Sequence, residues 1–219
     1  MRSLGIDPAI KNLAWSIVEK NENNEDIELC EFGVINLTEP PKCDLCDTPS
    51  FYFKFQEIET VYCCEGHKKE MQCNKKIKEK TLPEITETII KKFDEVLKDL
   101  KYDYVCLENQ PAFKNPTKKS IEIIILTYFK MKDIKVYIQN GTYKNYGKKF
   151  DLKNGRKYRE TKKFSVECAK ALLDEKSFRK IKYTTSKLDD VCDSINHSVA
   201  RFFKGKPPSK LKKLMSNVL

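Results

Sequence analysis

Apolar and polar positions alternate through the first 37 residues of the chain. Residues 2 to 8, 11 to 19 and 27 to 37 are rich in β-branched and aromatic side chains, and short polar turns separate them. This pattern predicts an antiparallel meander of three strands. Residues 38 to 80 interrupt it, and they contain five of the nine cysteines. We interpret them as a small insertion within a single domain that extends over residues 1 to 219.

The spacing of apolar residues becomes helical after Pro83. Apolar residues recur every three or four positions between residues 85 and 100, which predicts an amphipathic helix. The later segments predict, in order, a buried strand at 104–107 ending at Glu108, a helix at 117–132, a strand at 134–138, a basic loop at 141–161, and helices at 162–174 and 187–203. This order indicates an α/β fold with a mixed sheet flanked by helices.

The composition indicates an anionic partner. Lys and Arg number 42 against 32 Asp and Glu, and the resulting net charge of +10 favours nucleic acid over a membrane surface. No run of apolar residues reaches the roughly 18 that a membrane span needs. The charged residue Asp7 follows after only four uncharged residues, which is too short a stretch for a secretory signal. Nine cysteines without such a signal predict thiols or metal ligands in a reducing compartment, and hence a cytoplasmic protein.

Four acidic residues stand out by their positions. Asp7 ends the first predicted strand, and Glu108 ends the fourth. Asp190 and Asp193 lie three residues apart on one face of the last helix, turned away from its apolar stripe. These carboxylates form an oxygen-rich ligand set that suits Mg²⁺ or Mn²⁺, and two such ions about 3.5–4 Å apart can promote phosphodiester hydrolysis. The alternative interpretation is that they are ordinary turn formers and solvated helix residues. His197, one turn beyond Asp193, is either a proton carrier or metal neighbour, or a polar helix residue without a catalytic role.

The residues around these acids resemble a known family. Leu4-Gly5-Ile6-Asp7-Pro8 is similar to the opening motif of the RuvC-type Holliday-junction resolvases in the RNase H-like superfamily, and Asn12-Leu13-Ala14-Trp15 matches their returning strand. Val105-Cys106-Leu107-Glu108-Asn109-Gln110 resembles their second motif. Lys187-Leu188-Asp189-Asp190-Val191-Cys192-Asp193-Ser194 resembles their last. The resemblance is strongest to the branch of poxviruses, iridoviruses and other large DNA viruses, and it covers the chain to about Phe203 apart from the insertion.

The resemblance implies an RNase H-like fold and a structure-specific endonuclease that resolves Holliday junctions. The four carboxylates named above would hold two Mg²⁺ ions per active site, with Asp189 as the alternative to Asp190. The family also uses a basic residue near its active site. The segment from Thr161 to Val166 is similar to that part of the family and makes Lys163 the preferred candidate, with Lys162 next. The implied partners are four-way and other branched DNA, a second copy of the chain in a homodimer, and no membrane.

Two alternative functions remain open from the sequence. The first is an RNase H-like nuclease that acts on RNA–DNA hybrids or flaps. The second is a non-catalytic, zinc-stabilised protein that binds nucleic acid. A protein that only binds DNA has no reason to gather four carboxylates, because they repel phosphate unless a cation is present.

A basic segment at 142–164 is the predicted DNA contact. It contains nine Lys or Arg, two acids and five aromatic residues. Cations contribute the phosphate contacts, and aromatic rings either stack on unpaired bases or pack into the core. The predicted DNA-binding residues are Lys144, Lys148, Lys149, Arg156, Lys157, Arg159 and Lys162.

The insertion contains a predicted structural zinc site. Cys43 and Cys46 form one knuckle, and Cys64 with His67 completes a tetrahedral set. Cys63 is an alternative to Cys64, Cys73 is a weaker one, and unliganded thiols are the other interpretation. Residues 38 to 80 contain eight Lys or Arg and eight Asp or Glu. Because the segment is neutral, we expect it to stabilise the loop or to form a dimer contact rather than to grip DNA.

Overall fold

The computed structural model describes residues 1–23, 25–57, 59–148, 150 and 154–216. The strands in these residues are β1 (Arg2–Asp7), β2 (Asn12–Lys20), β3 (Ile27–Asn36), β4 (Tyr52–Gln56), β5 (Glu59–Cys63), β6 (Lys75–Lys76), β7 (Tyr104–Asn109) and β8 (Val136–Asn140). The helices are α1 (Leu82–Val96), α2 (Pro116–Met131), α3 (Asn154–Leu172), α4 (Glu175–Thr184), α5 (Leu188–Phe202) and α6 (Ser209–Ser216), and a short 3₁₀ turn at Tyr143–Asn145 follows β8. No helix in the described ranges is long and apolar enough to cross a lipid bilayer.

The central sheet has five strands in the order β3-β2-β1-β7-β8. β1, β2 and β3 pair antiparallel, whereas β1, β7 and β8 are parallel neighbours, so the predicted mixed sheet is confirmed. The carboxyl ends of the three parallel strands lie at one edge of the sheet, which we call the carboxyl edge. β3 ends at the same edge, because its last residue, Asn36, pairs with Asn12 at the start of β2. The residues between β3 and α1 therefore leave the sheet there, and they form a separate small sheet in the order β5-β4-β6.

Helices cover both faces of the central sheet. On one face, Leu4 and Ile6 of β1 pack in a cluster with Phe93 of α1 and Phe129 of α2. On the other face, α3 and α5 pack over β2 in a cluster that includes Val18. Burial of each large apolar side chain contributes about 1.5–3 kcal/mol. The two clusters thus hold the strand ends and the helices in fixed relation, which is what a site at the carboxyl edge requires.

Gly5 allows α5 to lie close against β1. A Cβ at this position would lie 2.0 Å from the backbone oxygen of Ser194 and 2.7 Å from Ser198 Oγ. Ser3 Oγ donates a hydrogen bond to Ser198 Oγ (3.0 Å) across the same contact. Because Asp193 directly precedes Ser194, this close packing fixes the position of the helical acids over the carboxyl edge.

The helical region differs from its prediction in three places. α3 begins at Asn154, so the last eight of the 21 residues predicted as a loop at 141–161 are helical. The first turns of α3 are exposed and lack an apolar stripe, although their Arg, Lys and Glu residues favour helix. The sequence pattern does not predict α4 and α6, because each buries few side chains; in α4 they are Phe178 and Ile181. The Asp174 side chain, which accepts a backbone N–H at the start of α4, is a capping signal that the sequence does contain.

Candidate active site and metal centre

Two carboxylates end neighbouring parallel strands at the carboxyl edge. Asp7 is the last residue of β1, and Glu108 is the next-to-last residue of β7. The pairing of Ile6 with Leu107 puts these acids side by side. Gly141, directly after β8, leaves room for Glu108, because a Cβ there would lie 2.5 Å from Glu108 Oε1. Asp7 is 8% exposed, and the Glu108 side chain is 13% exposed, so both charges sit largely out of water.

The other two carboxylates come from the start of α5. Asp190 lies in its first turn and Asp193 one turn later. The sequence places this face away from the apolar stripe, but the structure buries it as well, since residues 191–200 are all buried. Asp193 is fully buried and accepts a hydrogen bond from Ser165 Oγ, whereas Asp190 is partly exposed. The four predicted carboxylates therefore meet at the carboxyl edge.

Two lysines lie among these carboxylates. Lys144 Nζ, just beyond β8, donates to Asp193 Oδ2 (2.8 Å) and to Glu108 Oε2 (3.2 Å). Lys162 Nζ, on α3, donates to the same Asp193 oxygen (2.9 Å) and to Asp190 Oδ1 (2.7 Å). The side chains are only 12% and 17% exposed. Lys144, predicted as a DNA contact, is thus a member of the carboxylate centre.

Lys162, and not Lys163, is the lysine that reaches the acids from α3. Lys163 is exposed. Consecutive helical residues point about 100° apart, so only one of two adjacent lysines can face α5. The resemblance to the family favoured Lys163, whereas the geometry favours Lys162. Lys162 Nζ lies 3.4 Å from Asp189 and 2.7 Å from Asp190, so Asp190 is also the better candidate of these two acids.

The charges of the centre perturb one another strongly. Burial, and then the neighbouring carboxylate of Glu108, raise the pKa of Asp7 well above its usual value, and Lys144 only partly offsets this. Burial disfavours the charged form of Lys144, but the charges of Asp193, Asp7 and Glu108 outweigh it and raise the lysine pKa. The negative charge at Asp7 is therefore not fully compensated by the lysines.

His197 lies beside the Glu108 carboxylate. It is fully buried, and its Nδ1 lies 3.3 Å from Gln139 Oε1. Its Nε2 lies 3.5 Å from Glu108 Oε2 and makes no hydrogen bond to the described residues. Burial opposes ionisation of Glu108, but His197 and then the charge of Lys144 lower its pKa well below the usual value. His197 is thus placed to orient the Glu108 carboxylate, a placement between the two roles considered from the sequence.

These residues fit a hard divalent cation. All four candidate ligands offer carboxylate oxygen, which is the donor that Mg²⁺ and Mn²⁺ prefer. Asp193 Oδ2 already accepts from two cationic groups, so cationic charge is favourable at this point. Burial and the neighbouring Glu108 carboxylate both oppose the charged form of Asp7 and raise its pKa, and a bound cation would favour that charged form. Asp7, Glu108, Asp190 and Asp193 are therefore the residues that could hold a metal ion.

Two of the predicted DNA-contacting residues, Lys144 and Lys162, belong to the carboxylate centre, and the other five fall into three groups. Arg156, Lys157 and Arg159 are exposed on the first turns of α3. Lys149 lies outside the described residues. Lys148 does not occupy the surface position that we expected of a DNA contact. Its Nζ is buried, lies 4.5 Å from the centre of the Phe164 ring, and lacks hydrogen bonds to described residues. A cation–π contact in the core replaces the phosphate contact expected there.

The aromatic residues of this segment divide between core and surface. Tyr146 and Phe164 are buried at 4% and 3% exposure, so they pack in the core. Tyr143 and Tyr158 are exposed at 37% and 64%. Phe150 is partly buried, and its ring centre lies 5.6 Å from that of Phe164. Of the five aromatic residues of this segment, Tyr143 and Tyr158 are therefore the ones available to stack on bases.

The segment that follows Glu108 contains residues that the sequence pattern does not identify. Phe113 is completely exposed in the loop between β7 and α2. Glu122 of α2 is buried and accepts the backbone N–H of Gln110 (2.6 Å) and the ammonium of Lys119 (2.9 Å). This ion pair ties the end of β7 to α2. Phe113 could have been identified from the sequence, because a phenylalanine in a short polar loop is unusual. Glu122 could not, because its sequence position is the same as that of any acid on a helix surface.

The predicted zinc ligands of the insertion lie together. One donor atom from each of Cys43, Cys46, Cys64 and His67 is within 4.8 Å of the others. His67 Nδ1 lies 3.6 Å from Cys43 Sγ and 3.5 Å from Cys64 Sγ, and the Cys46 and Cys64 sulfurs are 3.7 Å apart. These separations match the edges of a tetrahedron around zinc, whose bonds to sulfur are about 2.3 Å.

The other two cysteines of the insertion are less suitable ligands. Cys63 and Cys73 are buried beside each other, and burial raises the pKa of the Cys63 thiol to about 12. For Cys43, burial opposes ionisation, but backbone N–H groups of Leu45 and Cys64, then His67, lower the thiol pKa to about 6. Zinc binds the thiolate, so Cys43 suits the ion better than Cys63 does.

Sequence comparison assigns the chain to a family. Residues 67–204 match the family described as "Poxvirus A22 protein". The chain belongs to the poxvirus A22 protein family. The matched region includes Glu108, Asp190 and Asp193 and leaves residues 1–66 outside it. Among curated proteins, no sequence matches this A22-family chain significantly.

Solved structures show the fold of this A22-family chain. The fowlpox virus Holliday junction resolvase has a TM-score of 0.54 at 16% identity, over 93% of this chain and 99% of the viral one. RuvC from T. thermophilus, solved with a Holliday junction substrate, has a TM-score of 0.54 at 12% identity, over 93% and 94% of the two chains. The yeast mitochondrial Holliday junction resolvase has a TM-score of 0.53 at 14% identity, over 99% and 86%. The predicted resemblance in fold to RuvC-type and poxvirus resolvases is confirmed.

Proposed function

We propose that the chain is a structure-specific endonuclease that depends on a divalent cation and resolves Holliday junctions and other branched DNA. The observation that carries this proposal is the convergence of four carboxylates at the carboxyl edge of a RuvC-like sheet. The resolvases that share the fold act as independent support, because two of them were solved with Holliday junction DNA. The exposed Arg156, Lys157 and Arg159 on α3 supply a basic surface for the DNA backbone.

The residues of the centre have separate tasks in this proposal. Asp7, Glu108, Asp190 and Asp193 hold Mg²⁺ or Mn²⁺, two ions per site. The bound metal supplies an acidified water and charge neutralisation at the phosphate. Lys162 and Lys144 offer ammonium groups to the negative charge that develops on the phosphate oxygens. His197 and Gln139 orient Glu108 and keep its carboxylate ionised.

A cleavage assay tests this function. Wild type and Asp7→Asn are incubated with a synthetic four-way junction, a matched duplex and an RNA–DNA hybrid, with and without Mg²⁺. We expect the wild type to cut the junction only with the cation and the variant to be inactive. Preferred cleavage of the hybrid would support the RNase H-like alternative. Junction binding without any cleavage under Mg²⁺ or Mn²⁺ would support the binding protein instead.

We also propose that residues 38–80 are an inserted zinc module in an otherwise single domain. Cys43, Cys46, Cys64 and His67 would hold one Zn²⁺, with no ligand position left for catalysis. We expect about one zinc per chain in protein purified without chelators, and none in Cys64→Ser. Cys63→Ser is the matched control and retains the metal. Equal zinc content in the two variants would contradict this ligand set. We also propose a reducing compartment such as the cytoplasm, because the cysteine ligands must stay reduced to hold zinc.

A homodimer is the proposed assembly, because resolution of a four-way junction requires two symmetric cuts. α1 and α2 present an apolar groove whose residues include Ile90, Ile123 and Met131, exposed at 42%, 51% and 83%. A second copy packed on this groove would put two active sites in one particle. We expect Ile123→Asp to convert the dimer to a monomer in sedimentation experiments. Tyr183→Asp, at a more exposed position on α4 (80%), is the control. A wild-type monomer at all concentrations would contradict the proposal.

A further inference from the structure

The small sheet of the insertion has two different faces. Residues opposite each other in antiparallel strands share a face, and Phe53 is opposite Tyr62 on one side and Lys75 on the other. Phe55, two residues further on, shares that face. The opposite face carries Tyr52 and Cys63, which pack with the cysteines of the insertion. We call the face formed by Phe53, Phe55, Tyr62 and Lys75 the outer insert face.

The outer insert face presents aromatic rings to solvent. Phe55 is 66% exposed, and its ring centre lies 5.3 Å from that of Phe53. The ring of Tyr62 is 6.5 Å from Phe53. Lys75 Nζ lies 4.6 Å above the Phe55 ring. A lysine on one side of an exposed ring leaves its other side open to a flat ligand and puts a positive charge beside that ligand.

Charge is distributed unevenly around this face. The groove it lines is bounded by Lys75, Lys76 and Lys78, together with Glu79 and Glu84. The Glu84 carboxylate already accepts hydrogen bonds from the backbone N–H and the hydroxyl of Thr81 at the start of α1 (2.7 Å each). The neutrality of the insertion as a whole therefore conceals an aromatic face whose groove is bounded by three lysines and two acids. The expectation that the insertion does not contact DNA was based on the net charge of the whole segment.

The insertion lies beside the carboxyl edge of the central sheet. The chain leaves the central sheet at its carboxyl edge, where β3 ends at Asn36, and returns beside that edge after residue 80. β3 is two strands from β1, which corresponds to about 10 Å at the usual strand spacing. Ile10 and Lys11, which follow Asp7 in the chain, line a groove together with residues 76–80. DNA that reaches the carboxylates thus runs beside the insertion.

We propose that the outer insert face binds unpaired nucleotides of branched DNA by stacking bases on Phe55 and its neighbouring rings. Lysines at its rim would contact the phosphates of the same strand. This inference rests on the proposed action on branched DNA. Duplex DNA hides its base faces and would contact the lysines alone. A second copy of this chain is a poorer occupant, because a symmetric contact would bring Lys75 and Lys76 of both copies together.

Binding measurements without divalent cation test this inference separately from cleavage. The probes are a fluorescent oligothymidylate of about 12 nucleotides and a duplex of the same length, followed by fluorescence anisotropy. The variants are Phe55→Ala and, as matched control, Phe51→Ala, which removes a phenylalanine that is 52% exposed and lines the groove on the other side of residues 76–78. No chelator is used, and zinc content and thermal unfolding confirm that both variants fold.

We expect Phe55→Ala to weaken oligothymidylate binding by roughly ten-fold, since stacking contributes about 1–3 kcal/mol per base. Its duplex affinity should change less than about two-fold, because only phosphate contacts remain there. Phe51→Ala should bind both probes as the wild type does. Equal oligothymidylate affinity in all three proteins would overturn the inference, as would an equal loss for single strand and duplex. Failure of the wild type to cut junctions would remove the proposed nuclease function without altering this comparison.

Discussion

Replacing Lys162 by methionine removes an ammonium group that contacts three carboxylates. Lys162 Nζ lies 2.7 Å from Asp190, 2.9 Å from Asp193 and 3.4 Å from Asp189. Methionine keeps most of the aliphatic stem and thus most of the packing. Lys163→Met is the matched control, because this neighbouring lysine on the same helix is exposed.

The cost of this change can be worked from the contacts. Breaking one partner of a buried ion pair costs about 3–5 kcal/mol. Asp193 keeps Lys144 and Ser165, and the Lys162 side chain is 17% exposed, so we discount the figure to about 2 kcal/mol. For a chain of this size, that corresponds to a fall in melting temperature of roughly 4–8 °C. Added Mg²⁺ should restore part of it, because bound cations stabilise the folded state. Lys163→Met should change stability by less than about 0.5 kcal/mol.

Single-turnover cleavage of a four-way junction at saturating enzyme measures the catalytic effect without differences in affinity. We expect Lys162→Met to slow cleavage by about 100-fold, the range found when one preorganised electrostatic contact is removed. Lys163→Met should remain within a few-fold of the wild type. The placement of Lys162 in the active centre is refuted if the two variants lose cleavage equally, or if only Lys163→Met is impaired. Thermal unfolding with and without Mg²⁺ separates this effect from loss of fold.

Three further changes test the surroundings of the centre. Gly5→Ala inserts a Cβ against the Ser194 carbonyl, so we expect a loss of about 3 kcal/mol or more in thermal unfolding, together with loss of cleavage. Phe113→Ala should leave the melting temperature unchanged but weaken junction binding by roughly ten-fold in anisotropy, because the ring is fully exposed in the loop that follows β7. An unchanged affinity would exclude a DNA contact. Glu122→Gln leaves Lys119 without its countercharge and should cost about 2 kcal/mol in thermal unfolding, and an unaltered melting temperature would show that the pair does not fix the end of β7.

The sequence predicts on which elements the four candidate carboxylates lie, and the reason is physical. Asp7 and Glu108 follow short apolar runs that can only be buried strands, and acids at such positions mark strand ends. Asp190 and Asp193 are separated by three residues in a helix whose apolar period is clear. Local pattern therefore determines where each acid lies on its own element. The zinc set is predicted equally well, because cysteines at such spacing in a short segment have few other uses.

Long side chains were predicted less well, because their role depends on which elements pack together. Lys144, Lys148, Lys162 and Lys163 occur in one basic segment and look alike in the sequence. In the structure, two contact the carboxylates, Lys148 lies over Phe164, and Lys163 is in solvent. These differences arise from the crossing of α3 with α5 and from the turn after β8. No periodic signal within the segment contains that information. The position of Phe113 is likewise set by the loop that joins β7 to α2.

The charge balance of the centre explains why two lysines accompany four acids. Asp7, Glu108, Asp190 and Asp193 in their charged forms, with Lys144 and Lys162, leave two negative charges uncompensated. Four carboxylates without the lysines would carry twice that charge, in a place where Asp193 has no access to water. The lysines therefore allow the centre to fold before a cation binds. Both ammonium groups sit on long flexible stems, so a cation that takes over the carboxylates frees them to contact a phosphate. On this reasoning the lysines contribute most to stability without Mg²⁺ and most to cleavage with it, and a variant lacking either one should show both losses under these opposite conditions.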